Sequence, residues 1–206
     1  MRIGFLMGSF DPIHIGHVNM IRSVLNSNAV DKVVVVPSGH NPWKQNDPAP
    51  FELRLQMIRE AIRPFGDRCE VSDIESTFEP PYTSNKPLGH FKEAYGSDER
   101  YIICGSDTVK KIPRWKNFET EINPFYGIIE LARESSSENK GSYVMHYFAS
   151  DGTERTKAIK VVKTNVMSVS STEIREAIAR GDFAYPLIDM TTLSIIKRNN
   201  IYGKEN

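Results

Sequence analysis

Four consecutive valines, Val33–Val36, constrain the fold of this chain more than any other stretch. With Asp31 and Lys32 they form the run DKVVVV, which offers no polar face. A strand that is apolar on both sides is buried on both sides, as in the middle of a parallel sheet covered by helices. The flanking segments fit that arrangement. RIGFLMG, residues 2–8, reads as a short buried strand. Val18, Ile21, Val24 and Leu25 recur at helical spacing, predicting a helix from about His17 to Ser27. Pro37–Pro50 is loop, and Leu53, Met57, Ile58, Ala61 and Ile62 predict a helix over Phe51–Ile62.

Further strands are expected at Glu70–Ile74, Tyr101–Cys104, Tyr126–Leu131 and Lys160–Val162. Helices are expected over residues 86–96, after Gly105-Ser106-Asp107, and around Thr191–Asn199. Strand alternates with helix, which predicts an α/β fold: a doubly wound, Rossmann-like parallel sheet. Its 206 residues fit one domain. One region breaks the pattern. ESSSENKG, Glu134–Gly141, is polar and repetitive, and residues 143–157 are weakly patterned, so 134–157 reads as a surface excursion, an extra hairpin or a disordered loop.

Composition narrows the function. With 26 basic and 26 acidic side chains the net charge is zero, which argues against a nucleic-acid groove but leaves small anionic ligands open. The two cysteines, Cys69 and Cys104, have no CxxC spacing, so free thiols in a reducing compartment are expected rather than a disulfide or zinc site. No stretch approaches the ~18 apolar residues of a membrane span, and the apolar run Ile3–Met7 is too short for a signal sequence. A cytoplasmic protein follows as the expectation.

Two segments carry chemistry. Gly8-Ser9-Phe10-Asp11-Pro12-Ile13-His14-Ile15-Gly16-His17 lies where the first strand gives way to the first helix, the end of an open α/β sheet at which ligands bind. Amides at a helix start suit a phosphate, and glycines allow close backbone approach. His14 and His17, three apart, share a face there and can donate hydrogen bonds to phosphoryl oxygens as charge builds up on them. The second segment is Ser168-Val169-Ser170-Ser171-Thr172-Glu173-Ile174-Arg175. Ser170 and Glu173 satisfy a capping box. Ser171, Thr172 and Arg175 go beyond what a cap needs, and together they make a second anion site at a helix N-terminus.

The string GSFDPIHIGH resembles the signature of the HxGH nucleotidyltransferase superfamily, and its SFDPIH portion resembles the pyridine-nucleotide adenylyltransferase branch. The resemblance assigns His14 and His17 to the phosphates of ATP and places Gly8, Ser9, Phe10 and Gly16 in the ATP site. Ser170, Ser171, Thr172 and Arg175 resemble the family's SSTxxR motif, which holds the β- and γ-phosphates. Lys44, in Asn41-Pro42-Trp43-Lys44, resembles the cation of a PPHK-like motif, although Trp43 replaces the histidine usual in the bacterial form. Gly105 and Asp107, followed by Trp115, resemble the GxD…W block. By that likeness Gly105 and Asp107 meet the nucleotide and Asp107 takes the ribose hydroxyls. Trp115 stacks on the pyridine ring, and Tyr82, Thr83 and Arg133 complete the mononucleotide site. On residue type alone Asp107 is equally a helix cap and Trp115 a core tryptophan.

The block from Cys104 to Arg133 looks closer to the eukaryotic-type nicotinamide branch than to the bacterial nicotinate branch. The resemblance implies transfer of AMP from ATP to nicotinamide or nicotinate mononucleotide by direct in-line attack. It implies Mg2+ carried by the ATP phosphates rather than by a protein cage, and it leaves a homo-oligomer open. A phosphopantetheine-type transferase of the same superfamily and a non-catalytic nucleotide sensor are the rival readings. Asp107 with Trp115 speaks against the first, and the intact His14, His17, Ser171 and Arg175 against the second.

Overall fold

The computed structural model describes residues 1–39, 48–79, 85–133, 141–164, 169–182 and 184–203. Seven strands lie in one sheet: β1 (Arg2–Gly8), β2 (Lys32–Pro37), β3 (Cys69–Val71), β4 (Glu99–Gly105), β5 (Gly127–Arg133), β6 (Ser142–Phe148) and β7 (Glu154–Thr164). Their order is β3-β2-β1-β4-β5-β7-β6, and all neighbours are parallel except β6 with β7. Phe5 pairs with Val34 on one side and Ile102 on the other, which puts β1 inside the sheet with β2 and β4 as its neighbours.

The valine run behaves as its chemistry dictates. Val33 and Val35 point into one core with Leu6, Ile103, Ile129 and Val162, while Val34 and Val36 point into another with Ile3, Phe5, Ile102 and Ile128. Successive strand residues face opposite sides, so four apolar residues in a row require cover on both. Helices α1 (Ile15–Asn26), α2 (Phe51–Ile62), α5 (Ser171–Arg180) and α6 (Met190–Arg198) supply it on the first face through Ile21, Val24, Met57, Ile58, Ile174 and Ile196. On the second face α3 (Asn85–Ala94), α4 (Ser106–Val109) and the turns from Ile112 to Tyr126 cover the sheet through Leu88, Phe91, Val109 and Phe118. The doubly wound α/β architecture expected from the strand–helix alternation is the one observed.

Element ends differ from the pattern where polar residues take part. β7 starts at Glu154, six residues before the apolar stretch at Lys160, because Glu154–Ala158 pair with β6 rather than fill a core. β6 itself carries Tyr143 and Tyr147 toward the second core and Val144, His146 and Phe148 outward. No apolar run marks this strand; its pairing with β7 defines it. Within the stretch 134–157, residues 141–157 thus hold β6 and the start of β7, and 134–140 lie outside the described residues. β3 stops at Val71, where the chain turns into a short 3-10 helix at Ile74–Thr77.

Candidate active site

β1 ends at Gly8, at the point where the strand order runs one way to β2 and the other way to β4. Such a reversal opens a crevice beyond the carboxyl ends of the strands. The chain crosses it from Ser9 to Ile13 and enters α1 at Ile15, two residues earlier than the apolar spacing alone indicates. His14 therefore sits at the N-cap in extended conformation (φ −146°, ψ 172°), and His17 lies in the first turn. The His14 backbone N–H donates to His17 Nδ1 at 3.3 Å. With Nδ1 accepting, the proton of the neutral His17 ring sits on Nε2.

The two imidazoles are tilted over one another, centroids 3.8 Å apart. His14 is buried, and its Nδ1 has no hydrogen-bond partner among the described residues. Burial pushes the His14 imidazole down to about 4, and the charge of Glu173 opposes this only in part. At neutral pH the ring is uncharged and can donate through a neutral N–H. Beneath the pair lies Phe10, 2% exposed, its ring edge-on to His17 at 4.9 Å. A Cβ on Gly8 would come within 3.3 Å of that ring, so a glycine gives Phe10 its room. Phe10 takes φ +47°, a backbone region costly for a bulky residue, on the order of 1–3 kcal/mol. Gly16 is buried within the first turn of α1.

The second helix opening folds against the first. Ser170 caps α5: its Oγ accepts from Glu173 N–H at 3.2 Å, and Glu173 Oε2 accepts from Ser170 N–H at 2.8 Å and from its hydroxyl at 2.9 Å. Ser171 Oγ donates to the carbonyl of Pro12 at 3.0 Å. Arg175 Nη1 donates to the carbonyl of Asp11 at 2.7 Å and lies 3.6 Å from its carboxylate, while Nη2 donates to Thr172 Oγ1 at 3.3 Å. The hydroxyls of Ser170 and Ser171 thus work within the protein, tying loop to helix. What this opening presents to an anion is the amides of Ser171 and Thr172, which have no partner inside the helix, and the Arg175 guanidinium.

Asp11 is the residue whose role the sequence did not reveal. The residue is 4% exposed, and its carboxylate accepts from Ala49 N–H at 3.0 Å and from Tyr202 Oη–H at 2.6 Å. Burial and this anion together push the Tyr202 phenol well above its ordinary range. Arg54, 1% exposed, grips the same region from below through the carbonyls of Ser9, Ser38, Gly39 and Ala49. A charged residue between Leu53 and Leu55 on a helix whose other inward residues are apolar was the available signal for Arg54. A groove of about 440 Å3 is lined by Asp11, Ala49, Thr172, Arg175 and Tyr202.

The remaining candidates divide. Gly105 caps α4 at the end of β4, next to β1 at the same end of the sheet, and Asp107 is exposed in that first turn. Trp115 is half-buried against the second core, so part of its ring is packed and part faces outward. Among the described contacts neither Asp107 nor Trp115 touches the histidine pair. Lys44, Tyr82 and Thr83 lie outside the described residues, as does the side chain of Arg133, whose backbone closes β5.

Residues 5–177 match the family model described as cytidylyltransferase-like. The chain belongs to the cytidylyltransferase-like family. Within it, the chain is 31% identical over 202 residues to a "Probable nicotinate-nucleotide adenylyltransferase" of Methylacidiphilum infernorum (isolate V4), covering 98% of this chain and 92% of the relative. A protein of the same name from Bacteroides fragilis (strain YCH46) is 33% identical over 202 residues, covering 97% and 93%. These matches put the chain among the nicotinate-nucleotide adenylyltransferases of the cytidylyltransferase-like family. Among solved structures, the Plasmodium falciparum nicotinic acid mononucleotide adenylyltransferase complexed with NaAD superimposes with a TM-score of 0.74 at 20% identity, over 98% of this chain and 97% of that one. That likeness is one of fold. Both curated relatives carry the nicotinate name, whereas the Cys104–Arg133 block resembles the nicotinamide branch.

Proposed function

We propose that the chain transfers the adenylyl group of ATP to nicotinate mononucleotide. One observation carries this reading: the α1 and α5 openings are bound to each other through Pro12–Ser171 and Asp11–Arg175, so both anion grips serve one crevice. The acid form of the acceptor is supported by the names of the relatives.

In the proposed step a phosphate oxygen of the mononucleotide attacks the α-phosphorus of ATP. A new P–O bond forms as the bond from the α-phosphorus to the bridging oxygen breaks, and pyrophosphate leaves. A phosphomonoester has its second pKa near ~6, so the nucleophile is already ionised at neutral pH and needs no protein base. The residues have to hold two anions in line and stabilise the charge that grows on the leaving oxygens. His17, through Nε2–H, and His14 are the donors closest to the α1 opening. Arg175 supplies the permanent positive charge.

Mg2+ belongs to the proposal as an ion brought by ATP, held by phosphate oxygens and water. The donor set of the crevice fits that arrangement, since imidazole N–H groups, amides and a guanidinium bind phosphate oxygens rather than a metal. Nucleotide substrates and free buried thiols at Cys69 and Cys104 are in keeping with a cytoplasmic enzyme. Among the described residues no helix is long and apolar enough to cross a membrane.

The test is pyrophosphate release from ATP with nicotinate mononucleotide, nicotinamide mononucleotide and 4′-phosphopantetheine offered separately. The expected result is the highest kcat/KM with the nicotinate acceptor. Preference for the amide would move the chain to the other pyridine branch. Turnover with phosphopantetheine alone, or ATP binding without turnover, would remove the pyridine-nucleotide reading.

A further inference from the structure

Arg54 is among the largest fully buried side chains of the molecule, and among the described residues it makes no ion pair. Burying an arginine without a carboxylate is costly unless its donors are used, and four of its five N–H groups are. Here Nε donates to Ala49 O at 2.9 Å, Nη1 to Ser9 O and Ser38 O, both at 2.8 Å, and Nη2 to Gly39 O at 3.1 Å. These four carbonyls come from three separate places: the loop after β1, the loop after β2, and the residue next to the N-cap of α2. The planar, forked guanidinium reaches all of them at once, which a point charge cannot.

Each held carbonyl fixes the peptide it belongs to. A trans peptide is planar, with its C=O and N–H pointing opposite ways. With Ser9 C=O drawn down onto Arg54, the N–H of Phe10 in the same peptide points away from the guanidinium. Phe10 also takes the left-handed φ of +47°, a conformation that needs outside restraint. Its restraints are Arg54 on the preceding carbonyl and the packing of its own ring under His17. Gly39 is held likewise: its carbonyl by Arg54 and its N–H by Glu75 Oε2 at 3.4 Å. Ala49 is held on both sides, by Arg54 at its carbonyl and Asp11 at its N–H.

We propose that Arg54 is a positioning residue for adenylyl transfer, holding the Ser9–Phe10 peptide so that the Phe10 amide donates to a phosphate of the bound nucleotide. This rests on the crevice being the nucleotide site proposed above.

The experiment compares wild type with Arg54→Lys and Arg54→Met. It measures melting temperature, kcat and KM for each substrate, and the shift of the 15N-labelled Phe10 amide signal on adding ATP. In wild type the Phe10 signal should move when ATP binds. In Arg54→Lys, kcat should fall roughly 10- to 100-fold with KM for the mononucleotide within about twofold, because the charge remains but the geometry loosens, and the Phe10 response should shrink or vanish. Unchanged kcat per folded molecule, with only a lower melting temperature, would show Arg54 to be structural and overturn the proposal. So would a Phe10 amide that ignores ATP in wild type. If Arg54→Met does not fold, Arg54→Lys decides. If wild type binds ATP without transferring it, the transfer reading fails while the Phe10 response still decides the role of Arg54.

Discussion

Arg175 donates to the main-chain oxygen of Asp11 at 2.7 Å, while its nearest approach to the Asp11 carboxylate is 3.6 Å. The guanidinium is thus anchored chiefly by the backbone of the opposite loop, with Thr172 on its other nitrogen. Anchored in that way, it keeps its charge for a ligand instead of spending it on a close ion pair. Arg175→Lys should keep the charge and lose the anchor, since an ammonium has no fork. We expect KM for ATP to rise about tenfold and stability to fall by about 1.5–3 kcal/mol, the range for a hydrogen bond to a charged group. Urea unfolding and ATP saturation curves measure both. An unchanged KM would separate Arg175 from the triphosphate.

His17→Ala removes an imidazole at the α1 opening and a ring contact with Phe10. Loss of one preorganised donor to a developing oxyanion costs roughly 100- to 1,000-fold in kcat. That loss is expected here with little change in melting temperature, because His17 is only half-buried. Full turnover in the folded variant would take His17 out of the mechanism.

The buried His14 ring makes stability depend on pH in a stated direction. Its folded value, about 4, lies below the unfolded reference of 6.5, so the folded state favours the neutral form. The stabilisation is whole above pH 6.5 and is lost as pH falls through 6.5 toward 4, because the unfolded chain binds a proton there that the native state refuses. At about 1.4 kcal/mol per pH unit, the His14 share of the loss between pH 6.5 and 5 is on the order of 2 kcal/mol. Unfolding free energies at pH 7 and pH 5 should therefore converge more in His14→Gln than in wild type. Equal slopes would mean that His14 titrates normally.

Trp115 offers one part of its ring to the core and another to solvent. If the outer part stacks on the pyridine ring, Trp115→Ala should raise KM for the mononucleotide about 5- to 10-fold, in line with about 1 kcal/mol for an aromatic contact, and leave KM for ATP nearly unchanged. An effect confined to stability, or to ATP, would make Trp115 a core residue alone.

What could be read from the sequence follows the range of the forces involved. β2 and α2 follow from side chains a few residues apart, and Phe51–Ile62 begins and ends where its apolar spacing does. The capping box of Ser170 and Glu173 is equally local. Ser171 shows the limit: its hydroxyl reads as an anion donor, yet it binds the carbonyl of Pro12, 159 residues away. Asp11 lies inside the motif that pointed to the chemistry, but its partners stand 38 and 191 residues distant, so no local pattern reveals that it holds the site together. β6 could be read only as one half of a possible extra hairpin, because an edge strand needs its neighbour, not an apolar run, to define it.

Asp11 also sets when the crevice can exist. A ribosome delivers the chain from its amino end, so the sheet strands and the His14–His17 helix emerge before Arg175 and Tyr202, which complete the contacts around Asp11. A nascent chain that has paired its strands still lacks the clasp. Grip on a nucleotide should therefore switch on only once Tyr202 has emerged rather than grow with each strand added.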